Sequence, residues 1–164
     1  MVQQFGDRAT FAVEIGEFWG GSSQLRIVDL WAAGKRLTVD DNCAYLPSFT
    51  YAMRSTAARV RHGDVGSCPF PGRSPEEIFR LLVADETESR EQYWFMQWGP
   101  TVDNLSKYAY LDGDLVLVFT FWRPTHPVPG ERDRVFVATI PPADFVATIE
   151  AAVGLLDAES PATP

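Results

Sequence analysis

The chain has 164 residues, the length of one ordinary domain and enough to bury a hydrophobic core. Hydrophobic residues make up 46% and charged residues 22%, a globular balance that argues against a disordered or fibrous body. The net charge of −8 argues against electrostatic capture of nucleic acid, which needs a basic face, and suits a basic protein partner better.

The first predicted element is a hairpin. Residues 10–18 alternate, with Phe11, Val13 and Ile15 on one face and Ala12 and Glu14 on the other. Residues 24–32 form the return strand, and Gly20-Gly21-Ser22-Ser23 between them is turn chemistry. Gly34-Lys35 offers a second tight turn before a short strand over 36–39. A helix follows over 47–61, because Leu46, Phe49, Met53, Ala57 and Val60 recur at helical spacing. Pro47 suits its first turn, and Arg59 and Arg61 suit its negative end. Residues 62–73 carry three glycines and two prolines and should be irregular. Ser74-Pro75-Glu76-Glu77 is a capping box with proline at the first helical position. It predicts a second helix that buries Ile78, Phe79, Leu81 and Leu82.

Residues 85–91 read as a solvated acidic connection, and the aromatic run 93–98 as a strand. The clearest feature lies at 107–123, where Asp112-Gly113 separates two apolar runs, the sequence preference of a type I′ hairpin turn. In the return strand Leu115, Leu117, Phe119 and Phe121 face one way, and Val116, Val118 and Trp122 the other. Both faces are apolar, so this strand is expected to be central and covered on both sides. A loop rich in proline and charge leads to a strand over 134–140. Pro141-Pro142 then opens a last helix striped by Phe145, Ile149, Val153 and Leu156. Hairpins dominate, so the expected fold class is α+β, a mainly antiparallel sheet of about six strands with about three helices packed against it. No repeat or linker divides the chain. A single domain is expected over 1–157, with a frayed tail at 158–164.

Compartment signals are few. The longest apolar run, 115–122, is far short of the roughly 18 residues of a membrane span. The first residues carry no basic leader followed by an apolar block, so a cytoplasmic address and no membrane contact are expected. Two cysteines, Cys43 and Cys68, are too few for a disulfide framework.

The search for chemistry leads to no catalytic residue. Zinc would need His and Cys at ligand spacing, which Cys43, Cys68, His62 and His126 do not provide, so neither metal nor cofactor is expected. Cys68 lies six residues from His62 but precedes proline in an irregular loop with no nucleophile elbow. Gly20-Gly21 lacks the Lys-Ser/Thr and helix of a phosphate loop. What remains is a surface suited to binding. Glu86, Glu88 and Glu91 form one acidic stretch, and Asp40, Asp41, Asp103, Asp112 and Asp114 fall in predicted turns or strand ends, open to a basic surface. Trp19 beside the Gly-Gly turn and Trp98 before Gly99-Pro100 are the tryptophans expected to be exposed as interface anchors.

The layout resembles the immunity protein 42 family of bacterial polymorphic toxin systems. The matching features are Phe5-Gly6 before the strand FAVEI, a second strand ending in Trp31 with Gly34-Lys35 just after, the pair LDGDLVLVFTFW, and the strand VFVATI running into the helix PADFVATIEAAVGLL. The resemblance implies a cytoplasmic, non-catalytic antidote that binds and blocks a cognate toxin protein. Many such toxins are basic, so an acidic inhibitor would be steered to them. The readings to be weighed against it are a small carboxylate-based hydrolase and a non-catalytic ligand-binding or scaffold module.

Overall fold

The computed structural model describes residues 1–160, and its first strand is one the sequence pattern did not mark. β1, Gln3–Asp7, pairs antiparallel with β2, Phe11–Phe18, which pairs in turn with β3, Leu25–Ala32. The expected hairpin register holds: Phe11, Val13 and Ile15 stand opposite Ala32, Leu30 and Val28 on the inner face. Gly20 and Gly21 take positive φ values of 59° and 73°, which fits them to the turn. Beyond it the expected strand over 36–39 is reduced to β4, Lys35–Arg36, because the chain bulges away and returns as β5, Cys43–Tyr45. Both pieces pair with β3, β4 at one end and β5 at the other. Asp29 holds the bulge, accepting hydrogen bonds from Arg36 Nε at 2.9 Å, Thr38 Oγ1 at 2.7 Å and Asn42 Nδ2 at 3.3 Å.

α1, Leu46–Arg61, follows with Pro47 in its first turn and Arg59 and Arg61 in its last. α2, Pro75–Ala84, begins as the capping box predicts, Ser74 Oγ accepting from the Glu77 amide at 3.2 Å. Ser74→Ala should cost about 1 kcal/mol of unfolding free energy, measured by urea titration, since the orphan amide loses its acceptor. The segment expected to form a strand over 93–98 does not. It leaves a 3-10 turn, Glu88–Tyr93, makes a single bridge from Trp94 to Tyr108, and turns sharply at Met96, whose φ of 56° no regular strand tolerates.

A second 3-10 turn, Pro100–Val102, leads into β6, Leu105–Asp112, and β7, Asp114–Phe121. Their turn is tight, but only Gly113 takes a positive φ, 72°, where a type I′ turn requires two. β8, Phe136–Ile140, completes a separate three-stranded antiparallel sheet in the order β6-β7-β8. α3, Pro142–Glu159, closes the chain, two residues into the tail expected to fray at 158–164; the rest of that tail, 161–164, lies outside the described residues.

The fold is α+β, with the strands divided between a five-stranded and a three-stranded sheet instead of one. α1 and α3 lie side by side, tied by the ion pairs Arg54–Asp157 and Arg61–Glu150. They share the main core with the inner face of the first sheet and with Leu115, Leu117, Phe119 and Phe121 of β7. On the other face of β7, Val116 and Val118 pack with Tyr108, Tyr110 and the Ile78, Phe79 and Leu82 of α2. The central strand is therefore covered on both sides, as its sequence predicts. Trp122 is the exception, because the strand ends one residue before it.

Candidate functional site

The acids singled out in the sequence do not share one face. Glu86, Glu88 and Glu91 are exposed on the connection after α2. There Asp85 spends its carboxylate on the Thr87 amide and hydroxyl, bonds that hold its pKa below the usual range. Asp112 and Asp114 sit at the β6–β7 turn. Asp103 lies just before the other end of β6, an eight-residue strand spanning roughly 23 Å.

A second group does come together. Asp40 and Asp41 ride on the bulge between β4 and β5, and Asp103 follows the 3-10 turn Pro100–Val102, which packs against β5. Asn104 Nδ2 donates to Leu37 O at 2.9 Å and joins the two segments. Trp122 completes the group: its amide donates to Asn104 O at 3.3 Å and its indole Nε1 to Asp103 O at 2.9 Å. The ring is thus fixed at one edge while 48% of the residue is exposed. Arg123 pairs with Asp40 at 3.2 Å and lies 5.5 Å from the centre of the Trp122 ring. Asp41 and Asp103 have no cation within ion-pair distance among the described residues; Asp41 Oδ1 accepts from the Cys43 amide, and Asp103, beside the tryptophan, lies in the field of the buried Lys107.

The same 3-10 turn borders a cleft of about 500 Å³. Ser48, Ala52, Ser55 and Arg59, at helical spacing along α1, form one wall, and Met96, Gln97, Trp98 and Gly99 the other. Trp98, expected to be exposed, is instead 4% accessible. Its indole Nε1 donates to Thr56 Oγ1 at 2.9 Å, and its ring meets Phe11 and Phe49 edge to face. The abrupt turn at Met96 drives it inward, which no local pattern announces. Arg59 holds the rim by donating to Gln92 O and Trp94 O at 3.3 and 3.2 Å. Behind the wall Lys107 Nζ donates to Val102 O at 3.3 Å and lies 3.5 Å from Gln97 Oε1. Burial pushes its pKa down to about 8, with Asp103 opposing the shift.

Exposed aromatics continue the surface. Trp19, expected to be exposed, is 56% accessible; its amide bonds Leu25 O at 2.8 Å, and Leu25 stands in register with Tyr45. Tyr45 precedes the α1 wall by one turn, and Tyr51, 74% exposed, lines the cleft. The sequence reading missed Tyr45, Tyr51 and Trp122 as surface residues. Tyr51 stood opposite the apolar stripe of α1 and could have been found from the helical period.

Chemistry is less well provided for. Glu14 and Asp29 stand opposite each other across β2 and β3, the only acids so paired inside the first sheet. Glu14 is engaged by Arg8, and Asp29 by the bulge. Among the described residues no three of His, Cys, Asp and Glu gather as a metal would require, and both cysteines are free thiols. No helix among them is long and apolar enough to cross a membrane. Compared with known protein families, curated proteins and solved structures, the chain matches none.

Proposed function

We propose that this chain is a cytoplasmic immunity protein, which binds and neutralises a cognate bacterial toxin domain without chemistry of its own. The observation that carries the reading is the exposed, hydrogen-bonded Trp122 with Asp103 beside it and Asp40 joined to it through Arg123. A rigid aromatic that loses little entropy on burial is the usual centre of a protein interface. Acids beside it steer a basic partner and set its orientation. Trp19, Tyr45 and Tyr51 are further exposed aromatics of the kind that interfaces enrich. The sequence patterning that resembles the immunity protein 42 family points the same way, although no family model matches the chain.

Co-expression with the product of the adjacent reading frame is the direct test. Growth rescue together with a co-purifying complex is the expected outcome; a folded protein giving neither would end this reading in favour of a carboxylate enzyme or a ligand-binding module. Within such a complex the two acidic groups should behave differently. Trp122→Ala and Asp103→Lys should each weaken affinity by roughly tenfold or more, Trp122→Ala mainly through faster dissociation and Asp103→Lys, a charge beside the anchor, through slower association as well. Glu86→Lys, Glu88→Lys and Glu91→Lys combined should slow association at low salt only, since a remote field is screened over about 8–10 Å at physiological ionic strength. Stopped-flow association across a salt titration separates these effects. Equal losses from both sets of variants would mean that the acids act as net charge and that Trp122 is no anchor.

A further inference from the structure

Residues 122–133 contain no regular element, yet their ends meet. The Asp133 amide donates to Phe121 O at 2.9 Å and Phe121 bridges Arg132, so the segment is an Ω-loop standing on the end of β7. Two proline turns shape it. The His126 amide bonds Arg123 O at 3.1 Å around Pro124. The Glu131 amide bonds Val128 O at 3.4 Å around Pro129 and Gly130, with Gly130 at φ 81°, the residue order of a type II turn.

The loop is also clamped from three sides. His126 turns inward, stacks on Phe121 with ring centres 4.1 Å apart, and pairs its Nε2 with Glu131 at 2.9 Å. Glu131 pairs with Lys35 of β4 at 3.0 Å, and Arg80 of α2 donates to Asp133 O at 3.2 Å. Burial alone would raise the Glu131 carboxyl, but hydrogen bonds from His126 and Lys35 bring it below its usual range. Surface loops are ordinarily the mobile part of a fold. This one has lost its freedom before any partner arrives, which removes an ordering cost from binding.

Its tip differs from the rest of the surface. Between Arg123 and Glu131 there is no Lys, Arg, Asp or Glu, in a chain with a net charge of −8. Pro124, Thr125, Pro127, Val128 and Pro129 are all exposed there. An uncharged tip can be desolvated cheaply, whereas the charges at its base, Asp103 beside one foot and the exposed Arg132 and Arg134 at the other, would stay at a wet rim.

We infer that this loop is the inserting element: its tip seats in an apolar-walled cleft of a folded partner protein. The inference rests on the toxin-binding reading above and names the part of the chain that enters the toxin. The test measures binding of the adjacent reading frame's product, by calorimetry, to the parent, to Val128→Arg at the tip, and to Ala151→Arg on the exposed side of α3. Val128→Arg is expected to raise the Kd at least tenfold while Ala151→Arg leaves it unchanged. Glu131→Gln, which loosens the clamp without touching the tip, should speed hydrogen exchange of residues 123–131 and slow association. Parental affinity in Val128→Arg, shown to be folded by its thermal transition, overturns the insertion and leaves the toxin-binding reading standing. A parent that forms no complex overturns that reading and the insertion with it.

Discussion

Phe119→Ala is expected to lower the unfolding free energy by about 3–5 kcal/mol, the range for removing a buried phenylalanine from a packed core. Phe119 is fully buried in β7, a strand covered on both faces. Its ring meets Phe121 edge to face at 5.9 Å and Phe136 at 5.6 Å, so truncation leaves an apolar void that two other large rings cannot easily fill. For a domain of this size, where total stability is about 5–15 kcal/mol, that is a large share. Urea titration followed by tryptophan fluorescence measures it, with a loss under about 1 kcal/mol marking a site that collapses without strain.

Lys107 should make stability depend on pH in an unusual direction. It is 7% exposed, its only bonding partners are uncharged oxygens, and its folded pKa is about 8 against an ordinary 10.5. A lysine whose pKa is depressed by folding burdens the folded state while it is charged in both states. That cost is present in full below about pH 8 and is relieved as pH rises towards 10.5, because the folded form gives up its proton while the unfolded form keeps it. Between pH 7 and pH 10 the relief amounts to a few kcal/mol, on the order of 1.4 kcal/mol per pH unit while the folded form alone is deprotonated. Burial also raises Tyr110, to about 12, and Cys43, which work the other way above pH 9. The comparison with Lys107→Met isolates the lysine. Lys107→Met should be more stable than the parent at pH 7, with its advantage shrinking by a few kcal/mol by pH 10 in parallel denaturant titrations. A constant difference across that range would show that water reaches the amine.

Much of this architecture was legible in the residues alone, and for local reasons. Alternation at Phe11, Val13 and Ile15, the capping box at Ser74, the helical stripe of α1 and the two-sided apolar pattern of β7 each depend on neighbours in sequence. Turns at Gly20-Gly21 and Gly113 follow from the freedom of glycine at positive φ. Trp19 could be placed on the surface for the same reason, since it flanks such a turn. The Val128-Pro129-Gly130-Glu131 turn was readable too, although the loop carrying it was taken only as rich in proline and charge.

What the sequence by itself determined was the α+β class, the hairpins and the faces its helices bury, except that Leu81, expected inside with Ile78, Phe79 and Leu82, is exposed at the edge of that face. These are set by periodicity and turn chemistry within a few residues. Tertiary structure alone decided that the strands divide into two sheets, because β6, β7 and β8 pair among themselves and with no strand of the first sheet. It decided that Trp98 is buried, since its place follows from the turn at Met96 and a bond to Thr56, forty-two positions away in sequence. It also decided which acids meet. Asp40, Asp41 and Asp103 are carried together by the bonds Asn104–Leu37 and Trp122–Asp103, whereas Asp112, at the far end of the same strand as Asp103, is left remote. Charge in a sequence has a sign and a count, but no position until long-range hydrogen bonds assign it one.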